Sequence, residues 1–395
     1  MFISTRFSAF YWLLFYTLIF AACQPDSTNG ASTKGSDSAS AQSNRIWNTL
    51  EVFPGKSWEV HDPQSEGIDP IVLQEALDTL RQYCGEDGLD EVVVIRNGYL
   101  IHQGDSVNKA HEIYSCSKSF TGMAMGLLIQ DRFCRLDDTA YHFSALLKQR
   151  YSGATLRHFA TMTSGYNGLG KSRWEGSNSE DWSFTPYAPD VPLFAPGTAY
   201  CYWDEAQMML GRILTRIARE DLHKMLSYRV FDVIQLGEWS WQEEGSFGTV
   251  PIRNGCTGVN MNALQLARVG WLYLNRGRWG SRQLIAPDWV EQSTQNQVAA
   301  QLLLANTDRK NIDGRGSYGF NWWVNGQPTN GAAAMPDTPA QTFYMSGFDN
   351  NMCFVVPEWN MVVIRMGLDG NPKQAKHLVY NKFFKTLKKG VKQTS

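Results

Sequence analysis

The folded part of this chain opens with a helix and a hairpin and closes with a hairpin and a helix. That arrangement constrains everything between. Asp69-Pro70 is a helix start, with an oxygen-bearing cap residue followed by a proline in the first turn. Leu73, Ala76, Leu77 and Leu80 follow at helical spacing. Glu91 to Arg96 reads as a strand, Asn97-Gly98 as a two-residue turn, and Tyr99 to Gln103 as the returning strand. Toward the other end, Met352–Val356 and Met361–Met366 flank a turn through Pro357-Glu358-Trp359-Asn360, and Gln374 to Lys388 is amphipathic at helical period. One antiparallel sheet built from both ends satisfies all four segments. The fold class is therefore α+β: an antiparallel sheet flanked by helices. Its sheet part takes in about residues 50–114 and 316–395, and a helical subdomain of about 115–315 is inserted between.

Within the insertion the period switches at Ser115, where Phe120, Met123, Ala124, Leu127 and Leu128 form one helical stripe. Asp204 to Arg219 and Asn262 to Leu274 are the clearest further helices, and the rest of this middle reads as helices and long loops. Of 395 residues, 43 % are hydrophobic and 13 % aromatic, 14 of them Trp, enough to bury a large core around a ring-lined cleft. Thirty-six basic against 38 acidic residues give a net charge of −2, so no global electrostatic case exists for nucleic acid. Beyond Cys23 the six cysteines Cys84, Cys116, Cys134, Cys201, Cys256 and Cys353 are scattered, mostly in apolar segments, and read as buried small hydrophobes. No cysteine pair or histidine pair has metal-ligand spacing, so neither metal nor cofactor is expected.

Ahead of that domain, Arg6 precedes an apolar run from Phe7 to Phe20 that ends in Ala21-Ala22-Cys23. The run has the length of a secretory signal core rather than a membrane span. Small residues before a cysteine resemble a bacterial lipoprotein signal, in which Cys23 becomes the lipidated first residue. Residues 24–44 are mostly small and polar and read as a disordered tether. The expectation is a signal peptide over 1–23, a tether over 24–44, and one folded domain over 45–395. That domain would be exported to the cell envelope and held to a membrane through lipid at Cys23.

The chemistry starts in Tyr114-Ser115-Cys116-Ser117-Lys118-Ser119-Phe120. Ser115 and Lys118 sit three apart, which puts them on one face where a helix opens. A serine hydroxyl attacks only when a neighbour takes its proton, and a desolvated lysine one turn away can do so. The helix N-terminus adds N–H groups and partial positive charge that suit a developing oxyanion. Alone the motif is weak, since about one Ser-x-x-Lys is expected by chance in a chain this long. Its place at a strand-to-helix transition makes it stronger. His102, His111 and His158 invite a Ser-His-Asp reading, but no Gly-x-Ser-x-Gly elbow encloses a serine.

Ser-Cys-Ser-Lys-Ser-Phe-Thr-Gly resembles the active-site block of the serine beta-lactamase-related hydrolases. That family spans class C beta-lactamases, D-Ala-D-Ala carboxypeptidases, D-aminopeptidases, family VIII esterases and aminohexanoate-dimer hydrolases. Further blocks agree in order: Leu136-Asp137-Asp138, Leu156 to Gly165, Phe194-Ala195-Pro196-Gly197-Thr198 leading to Tyr202, Leu264 to Trp289, and Tyr344 to Gly367. The resemblance spans about residues 50 to 390 and implies the beta-lactamase/transpeptidase-like fold. It also implies Ser115 as the acylated nucleophile, Lys118 as first proton acceptor and Tyr202 as the proton relay to the leaving group. The backbone N–H groups of Ser115 and of Phe348, on the edge strand after Gly347, would form the oxyanion hole.

Two departures bear on substrate. Where the family usually has Tyr-x-Asn, this chain has Tyr202-Trp203-Asp204. Asp204 either caps the helix that begins there or presents a carboxylate to Lys118 or to a substrate amine; beside Lys118 it would raise the lysine and shift the burden to Tyr202. The family's Lys/His-Thr/x-Gly motif is matched here by Met345-Ser346-Gly347, and methionine cannot bind a carboxylate. That disfavours beta-lactams and peptide C-termini. The expected activity is thus acyl-enzyme hydrolysis of a small ester or amide. D-amino-acid amide or peptide hydrolysis and a non-catalytic envelope binding protein are the alternatives. Trp174, Trp182, Trp203, Trp322 and Trp323 fall in loops that would surround the cleft.

Overall fold

Asp69 opens the first helix, Pro70–Tyr83, by accepting the Ile71 and Val72 N–H groups on its side chain. In this computed structural model the described residues are 45, 47, 51–85, 87–172, 183–306, 312–326, 331–368 and 375–392. The signal-like segment with Cys23, the tether, Trp174 and Trp182 lie outside them. Residues Arg45–Ser395 make one compact unit.

The sheet has six strands, all antiparallel, in the order Trp323–Val324, Phe343–Ser346, Met352–Val356, Met361–Met366, Glu91–Arg96, Tyr99–Gln103. The two ends of the domain meet where Glu91 pairs with Met366 and Arg96 with Met361. Side-chain alternation then sorts one strand into two cores. Val92 and Val94 pack with Leu73, Leu77, Phe354 and Phe383, under the first helix and the last, Lys376–Leu387. Val93 and Ile95 join the larger core with Phe120, Leu127, Leu272 and Ile364, under the helices Ser117–Gln130 and Ala263–Leu274. Burial on both faces is why Glu91–Arg96 and Met361–Met366 read as continuous apolar runs rather than alternating ones. Each such Val, Leu or Ile contributes about 1.5–3 kcal/mol when fully removed from water. Gly270 lets the helix approach this sheet, since a Cβ there would stand 2.7 Å from Val362 Cγ1.

The α+β reading and the terminal elements agree with the structure, and Asp204–Ala218 and Ala263–Leu274 are helices. The middle differs from a set of helices and loops. Val259–Met261 pairs with His111–Glu112 and with Ser240–Trp241, Glu243–Phe247 pairs with Val250–Arg253, and Gly168–Ser172 with Ser183–Pro189. Most of these strands are too short for a period of two to show in sequence. One of them sits directly beneath the site: the Val259 N–H donates to Ser117 Oγ at 3.1 Å.

Candidate active site

Ser115 lies in a single 3₁₀ turn, Tyr114–Cys116, and the α-helix proper begins only at Ser117. Tyr114 enters that turn with φ at 47°, a left-handed conformation that costs a non-glycine residue roughly 1 kcal/mol or more. The surrounding packing holds it there, and Ser115 is presented half-buried at the helix mouth.

Lys118 projects from the first turn of the helix and is 2 % exposed. Its ammonium has three hydrogens, and three acceptors stand around it: Ser115 Oγ at 2.8 Å, the Cys256 carbonyl at 3.1 Å and Asp204 Oδ1 at 2.6 Å. It also lies 4.9 Å from the centre of the Tyr202 ring. Burial pulls the lysine down, but the Asp204 carboxylate, then Tyr202, outweigh it and hold the ammonium well above its ordinary range. The Cys256 carbonyl is placed by its own loop. Asn254 Oδ1 accepts the N–H groups of Cys256 and Thr257 at 3.0 and 3.3 Å, and Glu112 accepts that of Gly258 at 2.9 Å.

Asp204 does not cap its helix. The N-cap position is Trp203, with no side-chain capping bond, and Asp204 is the first helical residue, its carboxylate turned to Lys118. A brace stands behind the pair. Asn321, itself left-handed with φ at 61°, donates from Nδ2 to the Lys118 carbonyl at 2.8 Å and to Gln207 Oε1 at 2.7 Å. One amide thus ties the lysine helix to the aspartate helix.

Tyr202 is buried, with Ser115 and Lys118 beside its phenol. Burial raises its phenol, Lys118 pulls it back and Asp204 raises it again; the outcome is above the ordinary value. Its ring stacks on Trp323 at 5.7 Å and meets Tyr318 edge-on at 6.2 Å.

The third segment is a turn rather than a strand edge. The strand ends at Ser346, half-buried, and Phe348, expected on the strand, stands in the turn after it. Pairing with Trp323–Val324 covers Phe343 and Tyr344, so only Met345 and Ser346 remain at the open side. Phe348 is 56 % exposed, and its ring meets Tyr114 at 5.5 Å. Gly347 is compulsory, because a Cβ there would stand 2.3 Å from the Ile113 carbonyl oxygen. Met345, at the place of the family's cation, is buried in the larger core opposite Cys353, so strand alternation turns it away from any substrate.

The expected aromatic wall is thinner than the sequence suggests. Trp203 and Trp322 are buried core residues, the latter against Tyr273 and Phe343. Of the five, only Trp323 among the described residues reaches the Tyr202 ring. The histidines have other work. His111 bonds Glu91 at 2.7 Å, His158 closes a capping box with Thr155, and His102 is partly buried. All six cysteines of the described residues are buried thiols. Among the described residues no cluster of His, Cys, Asp and Glu could hold a metal.

The family model described as Beta-lactamase matches residues 92–376. The chain belongs to the beta-lactamase family. An uncharacterized protein of Alkalihalophilus pseudofirmus is 20 % identical over 257 residues, 64 % of this chain and 72 % of that one. A Bacillus anthracis structure, provisionally described as a 6-aminohexanoate-dimer hydrolase, superimposes with a TM-score of 0.62 at 19 % identity, covering 86 % of this chain and 89 % of its own. EstCE1, a hydrolase with promiscuous acyltransferase activity, gives 0.60 at 16 % identity over 80 % and 98 %. At these identities the likeness is one of fold. Family and fold together support a hydrolase. In this beta-lactamase-family protein the sequence reading missed three contributors: the Cys256 carbonyl, Asn321 with Gln207, and a lysine on the last helix, Lys376. The first two carry no motif, and Lys376 was legible only as one position of an amphipathic helix.

Proposed function

We propose that this protein is an exported serine hydrolase that works through an acyl-enzyme on a small, neutral ester or amide. One observation carries the reading: Lys118 Nζ lies 2.8 Å from Ser115 Oγ in a buried site that Tyr202 closes. Export and lipid attachment at Cys23 belong to the same proposal and rest on the sequence of residues 1–44.

The ion pair with Asp204 alters how protons move. As a full ammonium, Lys118 cannot accept the serine proton. It first passes one of its own to Asp204 across the 2.6 Å contact, leaving a buried neutral pair, amine and carboxylic acid. The amine takes the Ser115 proton as Oγ bonds to the substrate carbonyl carbon, and the carbonyl oxygen becomes the oxyanion. Tyr202 gives its phenolic proton to the departing oxygen or nitrogen and regains one from Lys118. Water then attacks the acyl carbon along the same path, its proton passing to the Lys118 amine and one returning to Ser115. Asp204 finally returns its proton to the Lys118 amine across the same contact, and the starting ammonium and carboxylate are restored.

Neutral substrates fit because the site's lysine is already matched by Asp204 and Met345 is turned into the core. The Tyr202–Trp323 stack favours small or flat acyl groups. Asp204 is occupied by Lys118, which counts against a role in reading a substrate amine. The test uses residues 45–395. Wild type and Ser115→Ala are compared for p-nitrophenyl butyrate turnover, with the acyl adduct read by intact mass. Turnover and adduct that both vanish in the variant support the proposal. Turnover that survives overturns it, and the absence of both from the wild type favours a binding protein with this fold.

A further inference from the structure

The turn that follows Ser346 is held by its carbonyls. The Gly347 carbonyl accepts a hydrogen bond from Lys376 Nζ, that of Phe348 from Asn351 Nδ2 at 2.8 Å, and that of Asp349 from Arg365 Nη1 at 3.2 Å. Asp349 and Asn350 are both left-handed, with φ at 49° and 60°, a conformation that needs outside support. Lys376 supplies its share from the first turn of the last helix.

A trans peptide carries its C=O and its N–H on opposite sides. Whatever fixes the Gly347 carbonyl therefore fixes the direction of the Phe348 N–H. Lys376 holds that carbonyl, so the N–H points away from Lys376. Gly347 itself lies against the Ser115 turn, where a Cβ would stand 3.3 Å from Cys116 Sγ as well as 2.3 Å from the Ile113 oxygen. Among the described residues neither the Ser115 N–H nor the Phe348 N–H has an acceptor.

We propose that Lys376 is a positioning residue for acyl transfer: bound to the Gly347 carbonyl, it aims and polarises the Gly347–Phe348 peptide so that the Phe348 N–H, beside that of Ser115, receives the oxyanion. The inference rests on the acyl-enzyme reading of Ser115 given above. A cation on the carbonyl oxygen withdraws electron density through the amide and makes its N–H a stronger donor. Fixing it before substrate arrives removes reorganisation from the reaction itself. Lys376 is suited to this because it spends its hydrogen bond on a carbonyl. No carboxylate stands within ion-pair distance among the described residues. An oxyanion donor of this kind is worth about 10²–10³ in rate. Lys376 acts through one, so its removal is expected to cost about 10- to 100-fold.

The experiment measures the rate at which a fluorophosphonate labels Ser115, by intact mass, in wild type, Ser115→Ala, Lys376→Met and Lys376→Arg, with thermal unfolding recorded for each. The expected result is slow labelling by Lys376→Met at a melting temperature within a few degrees of the wild type. Most of the rate should return in Lys376→Arg, and KM for p-nitrophenyl butyrate should move less than about twofold while kcat falls. Labelling of Lys376→Met at the wild-type rate overturns the inference and leaves the acyl-enzyme reading intact. A wild type that takes no label overturns both. Where Lys376→Met does not fold, the wild type decides through the Phe348 amide proton, observed with ¹⁵N-phenylalanine and assigned by Phe348→Leu. Its resonance is expected to titrate as Lys376 loses its charge, and a resonance that stays fixed from pH 6 to 10 overturns the inference. Besides Lys376 itself, the groups that face this ammonium are Cys116, Asp349, Cys84 and Arg365. Cys116, pushed up to about 12 by burial, stays a thiol in that range.

Discussion

Two lysines bracket the Ser115 turn, and the protein treats them in opposite ways. Lys118, on the catalytic helix, is 2 % exposed and meets the Asp204 carboxylate at 2.6 Å. Lys376, on the last helix, meets the Gly347 carbonyl. Burial pulls both down. For Lys118 the carboxylate, helped by Tyr202, overcomes the pull and lifts the ammonium above its ordinary range. For Lys376 burial wins, Cys116, Asp349 and Cys84 recover only part against Arg365, and the group falls to about 8. The deeper lysine is thus the one that is raised, because its nearest partner rather than its depth decides its state. One lysine is locked into an ion pair that can exchange a proton, and the other is a charge near the edge of its titration that holds a backbone.

The largest expected effect breaks the first half of that comparison. Asp204→Ala leaves a buried ammonium with no counter-charge, and breaking such a pair costs about 3–5 kcal/mol, a large part of a domain's total stability. Lys376→Met removes a half-buried charge together with its hydrogen bond to a neutral carbonyl, and should stay within about 1–2 kcal/mol of wild type. Urea unfolding of the two variants side by side reads the difference. Equal losses would mean that Asp204 and Lys118 are not the buried pair seen here.

A milder change at the same place separates charge from volume. In the wild type Lys118 hands its proton to Asp204 within the site, so acylation needs no net loss of a proton from this pair and should be nearly level from about pH 6 to 7.5, below the titration of Lys376 at about 8. Asp204→Asn removes both the acceptor and the group that raises Lys118, and burial then prevails and lowers the lysine. Acylation by the variant should be slow at low pH and climb with pH as the amine forms. Pre-steady-state p-nitrophenol release across that range gives the two profiles. A variant as level as the wild type would mean that Asp204 takes no proton.

Much of this was legible because the relevant signals are local. The terminal helices keep a clean period, the terminal strands are apolar runs joined by turn residues, and Ser115 and Lys118 meet because three residues separate them at a helix start. Asp204 shows where locality ends. An aspartate at a helix start reads either as a cap or as a carboxylate offered to Lys118 or a substrate amine, and only the fold decides for Lys118, leaving Trp203 in the cap position. Met345 failed in the opposite sense. Motif alignment placed it where a substrate-facing cation belongs, but the alternation that buries Phe343 buries it too. Lys376 could not be found from the sequence at all, because its role is defined by a carbonyl, and every residue has one.

The smallest expected effect sharpens the second half of the comparison, through stability rather than rate. An unfolded lysine titrates near 10.4, whereas Lys376 in the folded protein does so at about 8. Below pH 8 both states hold the proton, and the penalty for burying the charge is present and constant. Between about 8 and 10.4 the unfolded chain holds a proton that the folded chain has released, so the unfolded state binds more protons and folding stability gains with rising pH. Lys118 has the opposite sign: raised in the folded state, its stabilisation is complete below the unfolded value and is lost only as pH rises through the folded one. In the window from 8 to 10 it contributes a level background. Subtracting Lys376→Met from wild type removes that background and isolates one group. The stability difference, measured by urea unfolding at pH 7, 8, 9 and 10, should be level from 7 to 8 and then move steadily in favour of the wild type. A difference that stays level throughout would mean that Lys376 keeps its proton at pH 10, as Lys118 does, and the two lysines would then be held by the same physics.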